Sequence, residues 1–329
     1  MTPDPPVIQV EGLTKHFPVT RGALFRHVIG VVKAVDGISF HIPPGQTYGL
    51  VGESGCGKTT TARMILQVER PTMGTIRFLG HSFASFTPRE QSRYRVSVQA
   101  VFQDPWSALS PRMRVGGIIM EPLLYHKRLR RQEARERLEG LLKDVGLHPD
   151  QAQYFPHEFS GGQRQRIAIA RALSLNPQVI VLDEPVPALD VSIRAQIMNL
   201  LRNLQRKYGL SYLLIAHNLA TVRYLSHAVG VMYLGRIVEQ ASNHELFTNP
   251  MHPYIRALIA ASLPSHPDAQ REEIPIIGEV PSSLNPPSGC TFNPRCPFAM
   301  ARCSVEVPAL QEMGSGHQVA CHLYAGAGS

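Results

Sequence analysis

The chain has 329 residues, 43% hydrophobic and 18% charged, so it can bury a sizeable core, with about two domains as a fair prior, and lies outside the disordered class. A net charge of +8 suits an anionic partner such as a nucleotide, nucleic acid or membrane surface, and equally an arginine-rich solvated surface. No apolar run approaches the roughly 18 residues a membrane span needs, and Met1-Thr2-Pro3-Asp4-Pro5-Pro6 lacks the parts of a signal peptide; a cytosolic chain is expected.

Residues 7–13 alternate apolar and polar, which predicts an early or edge strand. Phe17 follows, then a loop to about Val32 that contains Arg21, Arg26 and His27. Strand patterning resumes over 35–42, and Pro43-Pro44-Gly45 turns the chain into a short buried strand at 48–51. Next comes Gly52-Glu53-Ser54-Gly55-Cys56-Gly57-Lys58-Thr59-Thr60, with a helix start at 61–66 behind it. This is a phosphate-binding loop in its required setting. Glycines let backbone N–H groups wrap an anion, Lys58 brings a mobile cation to the outer phosphates, and Thr59 offers a hydroxyl to magnesium. Cys56 reads first as a small filler beside Gly57, and second as a thiol through which oxidation would reach nucleotide binding. Phe17, taken alone, reads as an ordinary core residue.

Beyond the loop, residues 74–80 read as a strand between turns, and 98–103 as a strand that ends in Gln103 beside a proline break. The stretch 112–153 has another texture, with Leu138, Leu141, Leu142 and Val145 at helical spacing among dense charge. It predicts a helical insertion whose charge is a solvated face. Ser160-Gly161-Gly162-Gln163 then precedes a helical pattern over 166–175, which places free N–H groups and a hydroxyl at a helix start as a second anion site; taken alone, the string is no more than an N-cap. Residues 179–182 are fully apolar and end in Asp183 and Glu184. A strand buried on both faces delivers such carboxylates to the carboxyl edge of a parallel sheet, Asp183 suited to magnesium and Glu184 to orienting water. A further apolar strand, 210–216, ends at His217.

This ordered set resembles the nucleotide-binding subunits of ATP-binding cassette (ABC) transporters, and within them the ATPases of bacterial dipeptide/oligopeptide importers. The resemblance runs from about Val7 to Tyr324. It implies an α/β P-loop NTPase fold with a RecA-like core, an antiparallel β subdomain and a helical subdomain, followed by a small C-terminal cysteine-containing extension. The ATPase domain is expected over 1–260, its helical subdomain over about 104–159, and the extension over 261–329. By the same similarity, residues 52–60 are the Walker A loop, Gln103 the Q-loop glutamine, residues 160–163 the ABC signature and Asp183-Glu184 the Walker B pair. Ala188-Leu189-Asp190 is the D-loop and His217 the switch histidine, and Phe17 becomes the adenine-stacking residue. Magnesium would be held by Thr59, Gln103 and Asp183.

The resemblance further implies head-to-tail pairing with a second ABC ATPase subunit, homologous or identical, so that Ser160, Gly161, Gly162, Gln163 and Asp190 face the partner's ATP. It implies two transmembrane permease subunits, whose coupling helices meet the helical insertion, an extracytoplasmic substrate-binding protein, no nucleic acid, and a peripheral place on the cytoplasmic face of the inner membrane. Three positions depart from the family pattern. Phe159 replaces a leucine, Pro187 a serine at the D-loop, and Asn218 an aspartate after His217. Pro187 removes a hydroxyl and a backbone donor. Rival readings are an importer of metal chelates or glutathione, and a soluble non-transport ABC protein.

A helix is expected at 255–263, broken by Pro264-Ser265-His266-Pro267, then a proline- and serine-rich loop over 281–288. Cys290, Cys296, Cys303 and Cys321 follow at gaps of five, six and seventeen residues, without paired Cys-x-x-Cys knuckles. Clustered thiols in a cytosolic protein suggest metal more than disulfide. The segment resembles the C-terminal extension of peptide-importer ATPases, which implies a 4Fe-4S cluster on these four thiolates; zinc, and reduced core thiols or disulfides, are the alternatives.

Overall fold

The computed structural model describes residues 5–21, 27–127, 129–186, 190–262 and 276–324. The chain opens with β1 (Ile8–Arg21), β2 (His27–Ile42) and β3 (Thr47–Val51), then α1 (Lys58–Ile65), β4 (Met73–Phe78) and β5 (His81–Ser82). A helical middle follows: α2 (Pro88–Ser97), β6 (Val98–Val101), α3 (Pro105–Ala108), α4 (Val115–Pro122), α5 (Arg131–Asp144) and α6 (Gly161–Leu173). The chain continues with β7 (Val179–Asp183), α7 (Val191–Tyr208), β8 (Ser211–Ala216), α8 (Leu219–Leu225), β9 (Ala228–Tyr233) and β10 (Arg236–Ser242). Last come α9 (Asn243–Thr248), α10 (Pro253–Ser262), β11 (Gln311–Glu312) and β12 (Gln318–Val319).

Two units are present. One comprises Met1–Ile8, Ile42–Thr47 and Phe78–Leu214, and the other Gln9–His41, Tyr48–Arg77 and Ile215–Ser329.

In the first unit β8, β7 and β6 lie side by side, with β6 and β7 parallel and Val101 opposite Leu182. β7 is buried through Leu182, as a strand covered on both faces must be. In the helical insertion, Leu138, Leu141, Leu142 and Val145 are all buried, while the charged residues of α5 are mostly exposed. The helical spacing and the solvated charged face are both as expected.

In the second unit the strand order is β11-β12-β10-β9-β3. β3 and β9 run parallel, and β10 joins β9 antiparallel. β12 pairs with β10, Val319 opposite Glu239, so the C-terminal segment extends the sheet that carries the phosphate loop. β1 lies between β2 and β4.

The loop expected between Phe17 and Val32 is corrected. β1 continues to Arg21 and β2 starts at His27; Arg26 lies outside the described residues. Ile29 and Val31 are 57% and 39% exposed while Gly30 and Val32 beside them are half-buried, so exposure alternates as in a strand but apolar residues stand on the exposed side and the sequence shows no apolar/polar alternation. The helix expected at 255–263 is present as α10, which starts two residues earlier; Leu263 and the break at 264–267 lie outside the described residues.

Candidate nucleotide site

In the second unit, β3 delivers the phosphate loop. Gly57, the N-cap of α1, is left-handed at φ 110° and supplies no side-chain cap. A Cβ there would stand 2.1 Å from the Ala34 carbonyl oxygen, and one on Gly52 2.1 Å from that of Met232. Only glycine lets the loop lie this close to its neighbours. The first turn of α1 closes with the Thr61 N–H on the Gly57 carbonyl at 3.0 Å, so the N–H groups of Lys58, Thr59 and Thr60 precede the helical ladder.

Lys58 is buried and folded into the loop. Its Nζ donates to the carbonyl oxygens of Gly52 at 2.7 Å and Glu53 at 2.9 Å, with Cys56 Sγ at 3.6 Å. Those weak neutral acceptors hold a cation where a phosphate oxygen would bind it more strongly. Burial pushes the Cys56 thiol up, against an opposing pull from Lys58. A raised thiol is a poor nucleophile, which favours the filler reading of Cys56. Ser54, Gly55 and Thr59 are exposed and Thr60 half-buried.

Sequence reasoning missed how Glu53 is held. Its carboxylate pairs with Arg295, and its N–H donates to the Tyr254 hydroxyl at 2.9 Å. Phe17 is half-buried on β1, with Lys15 Nζ 4.8 Å from its ring centroid. His217 is exposed just after β8. Asn218 caps α8, its Oδ1 accepting from the Thr221 N–H at 3.1 Å. Asparagine fills that place as well as aspartate does, so the departure at 218 leaves the helix start intact.

In the first unit, the register Val101 to Leu182 carries Gln103 and Glu184 off the same edge of the sheet, each two residues past its last paired position. Asp183 ends β7 half-buried, and Glu184 takes the left-handed φ of 47°. Such a conformation costs a non-glycine residue about 1–3 kcal/mol and concentrates at functional positions. Gln103 is exposed, and Asp104 beside it caps α3 through the Trp106 N–H at 2.9 Å.

The turn ahead of α6 is a closed capping box. Gln163 Oε1 accepts from the Ser160 N–H at 3.0 Å, and the Gln163 N–H reaches Ser160 Oγ at 3.4 Å. Gly162 lets α7 approach, since a Cβ would stand 2.6 Å from Ile193 Cγ2. Phe159 is buried and takes the apolar role of a leucine. Asp190 is exposed at the start of α7 with no side-chain capping bond. Pro187, Ala188 and Leu189 lie outside the described residues.

Burial first, then the charges of neighbouring cysteines, push up Cys290, Cys296 and Cys321, the last to about 11. Cys303 is buried, and its carbonyl accepts from the Cys290 N–H at 2.8 Å. Among the described residues, no group of three or more His, Cys, Asp or Glu side chains is arranged to hold a metal ion, so the expected four-thiolate ligand set is not formed as these side chains stand. No described helix is long and apolar enough to cross a membrane.

Residues 35–187 match the family "ABC transporter", and residues 238–303 match "Oligopeptide/dipeptide transporter, C-terminal region". The oligopeptide transport ATP-binding protein AppF of Bacillus subtilis is 48% identical over 322 residues, 97% of each chain. The dipeptide transport ATP-binding protein DppF of Escherichia coli is 46% identical over 316 residues, 96% of this chain and 94% of its own. Among solved structures, the ATP-binding cassette MJ0796, a dimer in a post-hydrolysis state bound to ADP and Pi, aligns with a TM-score of 0.62. It is 26% identical, over 72% of this chain and 98% of its own.

Proposed function

The chain belongs to the ABC transporter ATP-binding proteins of the oligopeptide/dipeptide type, and from that membership we infer that it is the ATP-hydrolysing subunit that powers peptide uptake. One observation carries this reading. The likeness to peptide-transport ATPases spans 97% of the chain and includes the C-terminal region beyond the cassette.

The residue roles follow from chemistry. Lys58 and the N–H groups at the start of α1 bind the phosphates, and Phe17 stacks on the adenine once Lys15 moves off its ring. Glu184 orients and polarises the attacking water, Gln103 and His217 sense the terminal phosphate, and catalysis is positioning and electrostatics around an in-line displacement. Thr59, Gln103 and Asp183 would hold magnesium, which supplies charge neutralisation at the phosphates when bound. Ser160, Gly161, Gly162, Gln163 and Asp190 serve the ATP of a second ATPase subunit, whose own signature turn completes the site on this chain. Closure on ATP and opening after hydrolysis then move two permease subunits from the cytoplasmic face of the inner membrane.

The ATPase domain is assigned to residues 1–260, with the helical subdomain at 104–159 and the extension at 261–329. Within the extension, Cys290, Cys296, Cys303 and Cys321 have the donor chemistry for a 4Fe-4S cluster, with zinc the alternative. The thiols would have to turn toward a common point to take it. Iron analysis with an absorbance band near 400 nm in anaerobic protein is expected; stoichiometric zinc without iron excludes the cluster.

The experiment for the function is purification of the intact complex with its permease pair, followed by ATP turnover against peptide-loaded binding protein. Stimulation by peptide is expected. Stimulation by a metal chelate or glutathione instead, or a stable complex free of membrane subunits, overturns the peptide reading.

A further inference from the structure

Arg295 leaves the C-terminal segment next to Cys296 and turns toward the phosphate loop. Its Nη1 donates to Glu53 Oε2 at 2.9 Å and its Nη2 to Glu53 Oε1 at 3.3 Å, with the two side chains 9% and 25% exposed. A two-bonded guanidinium–carboxylate pair fixes direction as well as charge. Residue 53 is held at two further atoms. Its N–H donates to the Tyr254 hydroxyl, and its carbonyl accepts from Lys58 Nζ, both at 2.9 Å.

Beneath these anchors lies a rigid floor. The rings of Tyr233, Tyr254 and Phe292 meet edge-on or tilted at 4.9–5.4 Å, and none of the three is more than 1% exposed. Arg295 Nη1 also reaches the Tyr233 hydroxyl at 3.4 Å.

A carboxylate at the second position of an anion-binding loop has the wrong sign for a triphosphate. Left loose, it repels the ligand and competes for Lys58. We propose that Arg295, seated with Tyr254 on the aromatic floor, is a positioning residue for nucleotide binding. It neutralises Glu53, turns it away from the phosphates and pins the first half of the loop. The C-terminal segment is thereby part of the support of the nucleotide site. This rests on the reading of residues 52–60 as the ATP loop.

The test is equilibrium titration of the full chain with ATP and magnesium. Arg295→Met frees the Glu53 carboxylate, and ATP affinity is expected to fall about tenfold, with a smaller loss for the less charged ADP. Glu53→Ala removes tether and repulsion together, so its loss is about threefold or less. The double variant Glu53→Ala/Arg295→Met is expected to match Glu53→Ala, so that the second substitution restores affinity. A merely structural arginine gives no such restoration. Arg295→Lys keeps the charge without the fork and falls between. Arg302→Ala, in the exposed pair with Glu306 of the same segment, leaves affinity unchanged.

Wild-type affinity in Arg295→Met, or a double variant no tighter than Arg295→Met, overturns the proposal. Should Arg295→Met be too unstable to purify, Arg295→Lys with and without Glu53→Ala gives the same comparison. Lys58→Ala tells the two failures apart. Unchanged ATP affinity in that variant defeats the loop reading itself, whereas its loss beside an unaffected Arg295→Met defeats only the clamp.

Discussion

Two helices of this chain begin at glycine-rich turns and answer their unpaired N–H groups in opposite ways. α1 starts at Gly57 with no side-chain cap, and the loop ahead of it folds Lys58 onto its own carbonyl oxygens. α6 starts at Ser160 with both halves of a capping box in place. The first turn holds a buried cation against weak acceptors and stays open to an anion. The second is satisfied without one and keeps the Ser160 hydroxyl hydrogen for another acceptor. The difference is what the proposed division of labour requires, in which the first turn grips ATP and the second visits the ATP of a partner.

A third helix start shows the occupied case. Ahead of α10, the buried Glu239 carboxylate accepts from the N–H groups of Met251 at 3.0 Å and His252 at 2.6 Å, and from His317 Nε2 at 2.8 Å. Here the chain supplies its own anion.

The largest expected effect separates gripping from chemistry. Glu184→Gln leaves the open turn untouched, so ATP still binds while single-turnover hydrolysis slows by about 1,000-fold, about 4 kcal/mol of barrier. Hydrolysis at the wild-type rate rejects the assignment. Lys58→Ala acts on the open turn itself and should weaken ATP binding by about 100-fold, read by titration.

Ser160→Ala acts on the closed turn. Loss of the cap should cost about 1 kcal/mol in denaturant unfolding and leave ATP affinity of the single chain unchanged. A drop in that affinity would break the proposed division.

Asn218 offers a finer comparison between caps. Asn218→Asp should be neutral to within about 0.5 kcal/mol, and Asn218→Ala should cost about 1 kcal/mol. The smallest effect concerns the occupied start. The bond to Glu239, with burial opposing it, raises the His317 pKa above its ordinary value of 6.5. Its stabilisation is therefore fully present below about pH 6.5 and is lost as pH rises through the raised folded value. His317→Gln should flatten that part of the stability profile between neutral and alkaline pH, followed by thermal unfolding.

Much of this was legible because the signals are local. The apolar strand and glycines around Lys58, the apolar run into Asp183-Glu184, and Ser160 with Gln163 three residues on each specify structure within a dozen positions. The pairing of β2 beside β1 was not, because Ile29 and Val31 are apolar yet exposed, so the sequence there does not alternate apolar with polar. β9 and β10 also went unread. Their turn places Leu234 at φ 42° and Gly235 at φ 83°, and a leucine in the left-handed region lacks the Asn-Gly signature of such turns.

The sequence by itself determined the chemistry of each stretch: a glycine-rich loop with a lysine suited to phosphate, a strand that ends in carboxylates, a helix start with a hydroxyl ahead of it, and four thiols in one segment. Only the tertiary structure decided what each is held against. Glu53 and Arg295 stand 242 positions apart, and no periodicity or spacing connects them. Their pairing arises because β12 adds the C-terminal segment to β10 and the aromatic floor brings that segment against the phosphate loop. Long-range contacts of this kind are set by packing geometry, which a local pattern does not encode.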